Sequence, residues 1–198
     1  PLTYEVVKGA AASSVGELTS ALSDPTVTNI TLGEDLEVGG DLTVTSSKEI
    51  NLNGKTLKMR MINTKAPLVI KNGSVESTYI AVYGHKDGDI TLENVNVTAT
   101  DVGVHLGHKD GTCGDAKLTL KNTKINTDGT GILIHGANNK VYIENSTINH
   151  KYFGITQNGV IPGSEVELVN VNISGTYSGI YLSNKAGGAK NILKVTGG

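Results

Sequence analysis

The stretch KLTLKNTKINTDGTGILI, from Lys117 to Ile134, carries the pattern from which the fold follows. Leu118 and Leu120 alternate with polar residues, Ile125 follows Asn122, and Ile132 and Ile134 alternate again after Gly131. Alternation at period two points side chains to opposite faces of a strand, so these residues line one side of three short strands. Asn122 and Asp128-Gly129 interrupt them with residues that tolerate tight turns. The same line recurs as PLVIKNGSV from Pro67, DITLENVNV from Asp89, KVYIENSTI from Lys140 and EVELVNVNI from Glu165. Its Asn residues are Asn72, Asn94, Asn122, Asn145 and Asn170, spaced 22, 28, 23 and 25 residues apart. Four repeats continue into GVHL from Gly103, GILI from Gly131, GITQ from Gly154 and GIYL from Gly179, with Ala81 in the equivalent place of the first.

A period of this length with three short strands suits one coil of a parallel β-solenoid. No single coil buries its apolar face, whereas a stack makes a continuous core. The expected fold is all-β: a right-handed, single-stranded parallel β-helix of about seven coils. The Asn column is expected at a corner, where a left-handed conformation is tolerated and stacked amides bond to one another with buried partners. Lys71, Glu93, Lys121 and Glu144 alternate in sign beside it, which avoids like charges on neighbouring strands.

The rest of the chain fits the same plan. Ile30/Leu32, Leu36/Val38, Leu42/Val44, Ile50/Leu52 and Leu57/Met59 predict two shorter early coils. Ser14 and Glu17 predict a capped helix with Val15, Leu18 and Leu22 on one face, ended by Asp24-Pro25. Residues 1–25 thus read as an N-terminal segment with a capping helix and 26–198 as the solenoid. The chain starts at Pro1 and ends in Leu193–Gly198 as a further coil begins, so it is expected to be a segment of a longer protein.

Composition narrows the function classes. Seventeen Lys+Arg against 19 Asp+Glu leave a net charge of -2, which offers no basic field for nucleic acid. No apolar run approaches the ~18 residues of a membrane span. Glycine numbers 25, tyrosine seven, phenylalanine one, tryptophan none, and Cys113 is alone and forms no internal disulfide.

The capping helix, the first coil ITLGEDLEV, the NLNGKTL turn and the Asn-ladder coils resemble the right-handed parallel β-helix, or pectate-lyase-like, superfamily over roughly residues 14–198. That resemblance implies an architecture shared by lyases, hydrolases, tailspikes and non-catalytic bacterial surface proteins, so function rests on the site. Lyases of the superfamily use Arg or Lys beside calcium-bound carboxylates; here Arg60 is the only Arg and has no carboxylate cluster near it in sequence. Hydrolases use converging Asp residues; Asp101 and Asp128 fall one position out of line. GHKDG occurs twice, at Gly84–Gly88 and Gly107–Gly111, with His135 at nearly the same corner one coil later. His85 and His108, with Asp87, Asp110, Asp115 or Cys113, have the chemistry of a zinc or copper site, yet tight-turn chemistry alone accounts for the motif. No catalytic residue, metal site or cofactor is therefore expected.

The positive signal is aromatic. Tyr79, Tyr152 and Tyr177 share one place, and Tyr83, His105, Thr156 and Tyr181 share an outward place on the following strand. Tyr79, Tyr83, His105, Tyr152, Tyr177 and Tyr181 are the expected ligand-binding residues, running along the axis with Lys86, Lys109 and Lys151 beside them. The expectation is an extracellular, surface-exposed, non-catalytic module for adhesion to a glycan or host-cell ligand, or a spacer, with its oligomeric state open. The alternatives are a carbohydrate-active enzyme fragment and a fibre or tailspike repeat.

Overall fold

The structure, a computed structural model, describes residues 7–108, 114–157, 163–183 and 190–198. Each coil has three strand legs. The first two legs form a 12-stranded parallel sheet; the third forms a 7-stranded parallel sheet. The seven third-leg strands are Asp41–Val44, Met61–Thr64, Ile80–Gly84, Val102–Leu106, Thr130–Ile134, Phe153–Gln157 and Ser178–Leu182, one per coil. This is a parallel β-solenoid of about seven turns.

Strand register stacks like residues on like. On the first leg Ile70, Leu92, Leu120, Ile143 and Leu168 pair in succession; on the second, Leu57, Val75, Val97, Ile125 and Ile148; on the third, Ile62, Val82, Val104, Ile132 and Ile155. All are buried and form one continuous hydrophobic cluster along the axis. Because each residue of a column contributes the same apolar surface at ~4.8 Å spacing, coil stacking is what stabilises every coil.

Between the first two legs sits the Asn corner. Asn72, Asn94, Asn122, Asn145 and Asn170 all adopt left-handed backbone, with φ between 47° and 60°. The Asn94 amide donates to Asn72 Oδ1 (3.3 Å), Asn72 to Asn51 Oδ1 (3.3 Å) and Asn170 to Asn145 Oδ1 (3.2 Å). These amides are exposed, which corrects the expectation of buried partners: the corner turns outward, so backbone conformation selects Asn more than burial does. Beside them Glu93 lies between Lys71 and Lys121, and Lys121 pairs with Glu144, the alternation of sign expected.

The third leg starts at the Gly column. A Cβ on Gly103 would lie 2.6 Å from the Gly131 carbonyl oxygen and 2.6 Å from Ile125 Cγ2. The coils of Gly103 and Gly131 thus pass too closely at this point for a larger residue at Gly103, a packing requirement rather than a left-handed one.

A helix, Val15–Ser23, covers the first coil. Ser14 Oγ accepts from Glu17 N (3.2 Å), and Glu17 Oε2 accepts from Ser13 N (2.7 Å). Its buried face is Leu18, Ala21 and Leu22, while Val15 is exposed, so Ala21 takes the place expected for Val15. Strand Gly9–Ala12 precedes the helix and pairs with Asn29–Leu32, so the sheet begins before its cap. Buried Lys48 donates to the carbonyl oxygens of Asp24 (2.6 Å) and Val27, which ties the helix end to the second coil. At the far end Ile192, Leu193 and Val195 of strand Ile192–Thr196 are exposed.

Candidate functional site

At two of the bends from the second leg to the third, a hydroxyl holds the turn. Ser77 Oγ donates to the Arg60 carbonyl (2.6 Å) and accepts from Tyr79 N (3.0 Å); Thr127 Oγ1 donates to the Asp101 carbonyl (3.0 Å) and accepts from Gly129 N (3.0 Å). Each bond pair links one coil to the next and turns the chain into the third leg. Two residues on, the corresponding position in successive coils is held by Tyr79, Asp101, Gly129, Tyr152 and Tyr177; Ala99, His150 and Gly175 stand in place of the hydroxyl before Asp101, Tyr152 and Tyr177, and Gly129 is buried. Tyr79, Tyr152 and Tyr177 are 38%, 53% and 75% exposed, as the outward column requires.

The six expected ligand-binding residues separate into three places. Tyr152, Tyr177 and Tyr181 lie at the C-terminal end. Phe153 joins them, 5.2 Å from the Tyr177 ring and 5.7 Å from the Tyr181 ring. Lys151 Nζ lies 5.8 Å from the Tyr152 ring centre. Tyr83 and His105 stack in the middle coils at 4.5 Å, with His85 4.3 Å from Tyr83 on the same coil. In their outward column Leu133 and the buried Thr156 stand between His105 and Tyr181. Tyr79, on the same coil as Tyr83, stands apart from it at the start of the third leg, its ring 5.0 Å from the Arg60 guanidinium.

Sequence reasoning missed Phe153. It pairs with Ser178 one coil on, at the start of the third leg, and the only Phe of the chain in that column was the available signal. A groove of about 410 Å³ beside the bend was also missed. Its walls are Thr98, Asn126, Asp128, Asn149, Lys151 and Thr176. Asn149 Nδ2 donates to Asn126 Oδ1 (2.8 Å), which fixes one polar wall. Lys151 and Thr176 directly precede Tyr152 and Tyr177, so the polar groove and the aromatic rings adjoin. His150, in the bend position held by Ser77 and Thr127, is buried with neither ring nitrogen hydrogen-bonded, and burial holds its pKa below the ordinary imidazole value.

Arg60 is committed elsewhere. Its Nη1 donates to both oxygens of Asp41, at 2.9 and 2.8 Å. The first GHKDG motif is a turn: Asp87 is left-handed, and Gly88 N donates to the His85 carbonyl (2.9 Å). In the second motif Lys109, Asp110 and Gly111, and also Cys113, lie outside the described residues. Among the described residues no three His, Cys, Asp or Glu side chains converge on one point. No helix is long and apolar enough to cross a membrane among those residues.

Residues 9–150 match the family model of the pectate lyase-like adhesive domain, well over half of the chain. The chain belongs to that family. Among solved structures, this adhesive domain is similar to the L. reuters 100-23 SRRP, with a TM-score of 0.50 and 16% identity over 98% of this chain and 80% of that one. That likeness is one of fold. No curated protein matches the chain. The family is one of adhesive domains, so the coarse reading of this chain is an adhesion-type surface module.

Proposed function

We propose that this adhesive domain works on the outside of a cell as a non-catalytic module holding an extended glycan across Tyr152, Tyr177 and Tyr181. The observation that carries the reading is the adjacency of exposed aromatic rings and an open polar groove. A sugar presents an apolar CH face and a rim of hydroxyls. Exposed rings take the first by stacking, and Asn126, Asp128, Asn149 and Lys151 offer donors and acceptors for the second. Tyr83, His105 and Tyr79 lie on the same side in earlier coils, where a longer chain running parallel to the axis would meet them. The groove is shallow, so affinity per site is modest and adhesion depends on several sites acting together. The non-catalytic part of the reading is supported by the engagement of the only Arg with Asp41.

The test is a glycan array with the wild-type chain, followed by titration of the best binder against Tyr152→Ala/Tyr177→Ala. Loss of two central aromatic contacts should weaken binding by about tenfold or more. Undiminished binding by the folded variant removes this end of the solenoid as the site. New reducing ends or unsaturated products from the bound glycan would show turnover and overturn the non-catalytic reading.

A further inference from the structure

Four of the five histidines gather at and just beyond the C-terminal ends of the third-leg strands, apart from the proposed glycan groove, with His135 buried. His105 and His135 are diagonal neighbours across adjacent coils, because His105 pairs with Leu133 and His135 follows two residues on, just past the strand end. His105 Nε2 and His135 Nδ1 are 2.8 Å apart, and the rings meet edge to face with centroids at 4.9 Å. On the other side Tyr83 stacks on His105 at 4.5 Å and limits its rotation. His105 Nδ1 is buried with no hydrogen-bond partner. Burial together with the neighbouring His135, His108 and His85 holds the His105 pKa down at about 3. An imidazole in this setting is neutral at physiological pH and has a lone pair to give, while protonating it would place like charges side by side.

We propose that His105 and His135 form a binding site for one late first-row divalent ion, Cu²⁺ or Ni²⁺ in preference to Zn²⁺, ligated through His105 Nε2 and His135 Nδ1. The ion takes the place of the proton the two nitrogens share, and the ring that carried that proton takes one up on its other nitrogen, so both imidazoles stay neutral and no net proton is released. The spacing sets the preference. At metal–nitrogen distances of ~2.0–2.1 Å, two cis ligands of a square or octahedral ion are about 2.9 Å apart, and those of a tetrahedral ion about 3.3 Å. The observed 2.8 Å matches the first. Imidazole is a good ligand for all three ions, so geometry discriminates where ligand type does not. With no third His, Cys, Asp or Glu converging among the described residues, water completes the coordination. His85 and His108 are close enough to interact electrostatically with His105 and serve as rim rather than as ligands.

The experiment uses the whole chain with Cu²⁺, Ni²⁺ and Zn²⁺ chlorides. Calorimetry should show one Cu²⁺ per chain, with Zn²⁺ weaker than Cu²⁺ and Ni²⁺. Electron paramagnetic resonance of the Cu²⁺ complex should show a tetragonal centre with two imidazole nitrogens. His105→Asn and His135→Asn should each lower Cu²⁺ affinity by about tenfold or more. His85→Asn/His108→Asn and His150→Ser should leave it within a factor of about three. The resonance spectrum of the wild-type protein keeps the test decisive even if a variant folds poorly. Absence of imidazole coupling, tighter Zn²⁺ than Ni²⁺ binding, or loss of the ion in His85→Asn/His108→Asn alone would each overturn the assignment.

Discussion

Replacing Asn72 separates the two things an Asn corner can contribute. Asn72 has φ 60° and links two amide bonds, donating to Asn51 Oδ1 and accepting from Asn94 Nδ2, both at 3.3 Å. Its backbone carbonyl also accepts from Gly54 N (2.7 Å), a bond that survives any side-chain change. Alanine removes both amide bonds and places a Cβ in the left-handed region. The backbone cost is roughly 1–2 kcal/mol. The exposed, long amide bonds add about 0.5 kcal/mol each. Asn72→Ala should therefore destabilise by about 2–3 kcal/mol. Asn72→Gly loses the same amide bonds without the Cβ and gives up only some unfolded-chain entropy, for a total of about 1–2 kcal/mol. For a chain of this size each kcal/mol moves the melting temperature by about 2–4 °C. Thermal melts followed by circular dichroism at 218 nm, a wavelength in the ordinary β-sheet band, should rank wild type above Gly and Gly above Ala. If Ala melts at or above Gly, left-handed strain is not what selects Asn at this corner, and the amide ladder carries the whole effect.

Other outcomes follow from the same packing. Gly103→Ala forces a Cβ to 2.6 Å from a backbone carbonyl and from a core Ile, so it should destabilise by about 2 kcal/mol or more by denaturant melt; a neutral result would mean the coils can separate at this column. Burial lowers the His150 pKa in the folded chain below its unfolded value near ~6.5, so the unfolded state binds more protons in acid. Its contribution is fully present above that value and is lost as pH falls below it, by up to about 1.4 kcal/mol per pH unit. His150→Thr supplies the hydroxyl that Ser77 and Thr127 provide at two other bends; its stability should exceed wild type increasingly from pH 7 to pH 5, and parallel pH profiles would refute the buried-neutral assignment. A chelator should leave the melting temperature of the protein unchanged, since the apolar columns run through every coil; a large drop reversed by added metal would show the fold depends on an ion.

The architecture was legible because it is written redundantly. Leu120 is buried for the same reason as Leu92 and Ile143, so one misread residue would not have changed the register. The site carries no such redundancy. Outward columns need not repeat: the place of Tyr83 is taken by His105, Leu133, Thr156 and Tyr181 in turn, and sequence offers no rule for which neighbours act together. Spacing correctly put Tyr79, Tyr152 and Tyr177 in one column, but not that two coils bearing Asp101 and Gly129 divide it. Pairing across the diagonal was harder still. His105 meets His135 because adjacent strands bring residue i beside j+2 as well as j. Ring orientation then decides the chemistry. A solenoid thus fixes its core by repetition and leaves its outer faces free to differ from coil to coil, which is where an adhesive domain can acquire a ligand without disturbing the stack beneath.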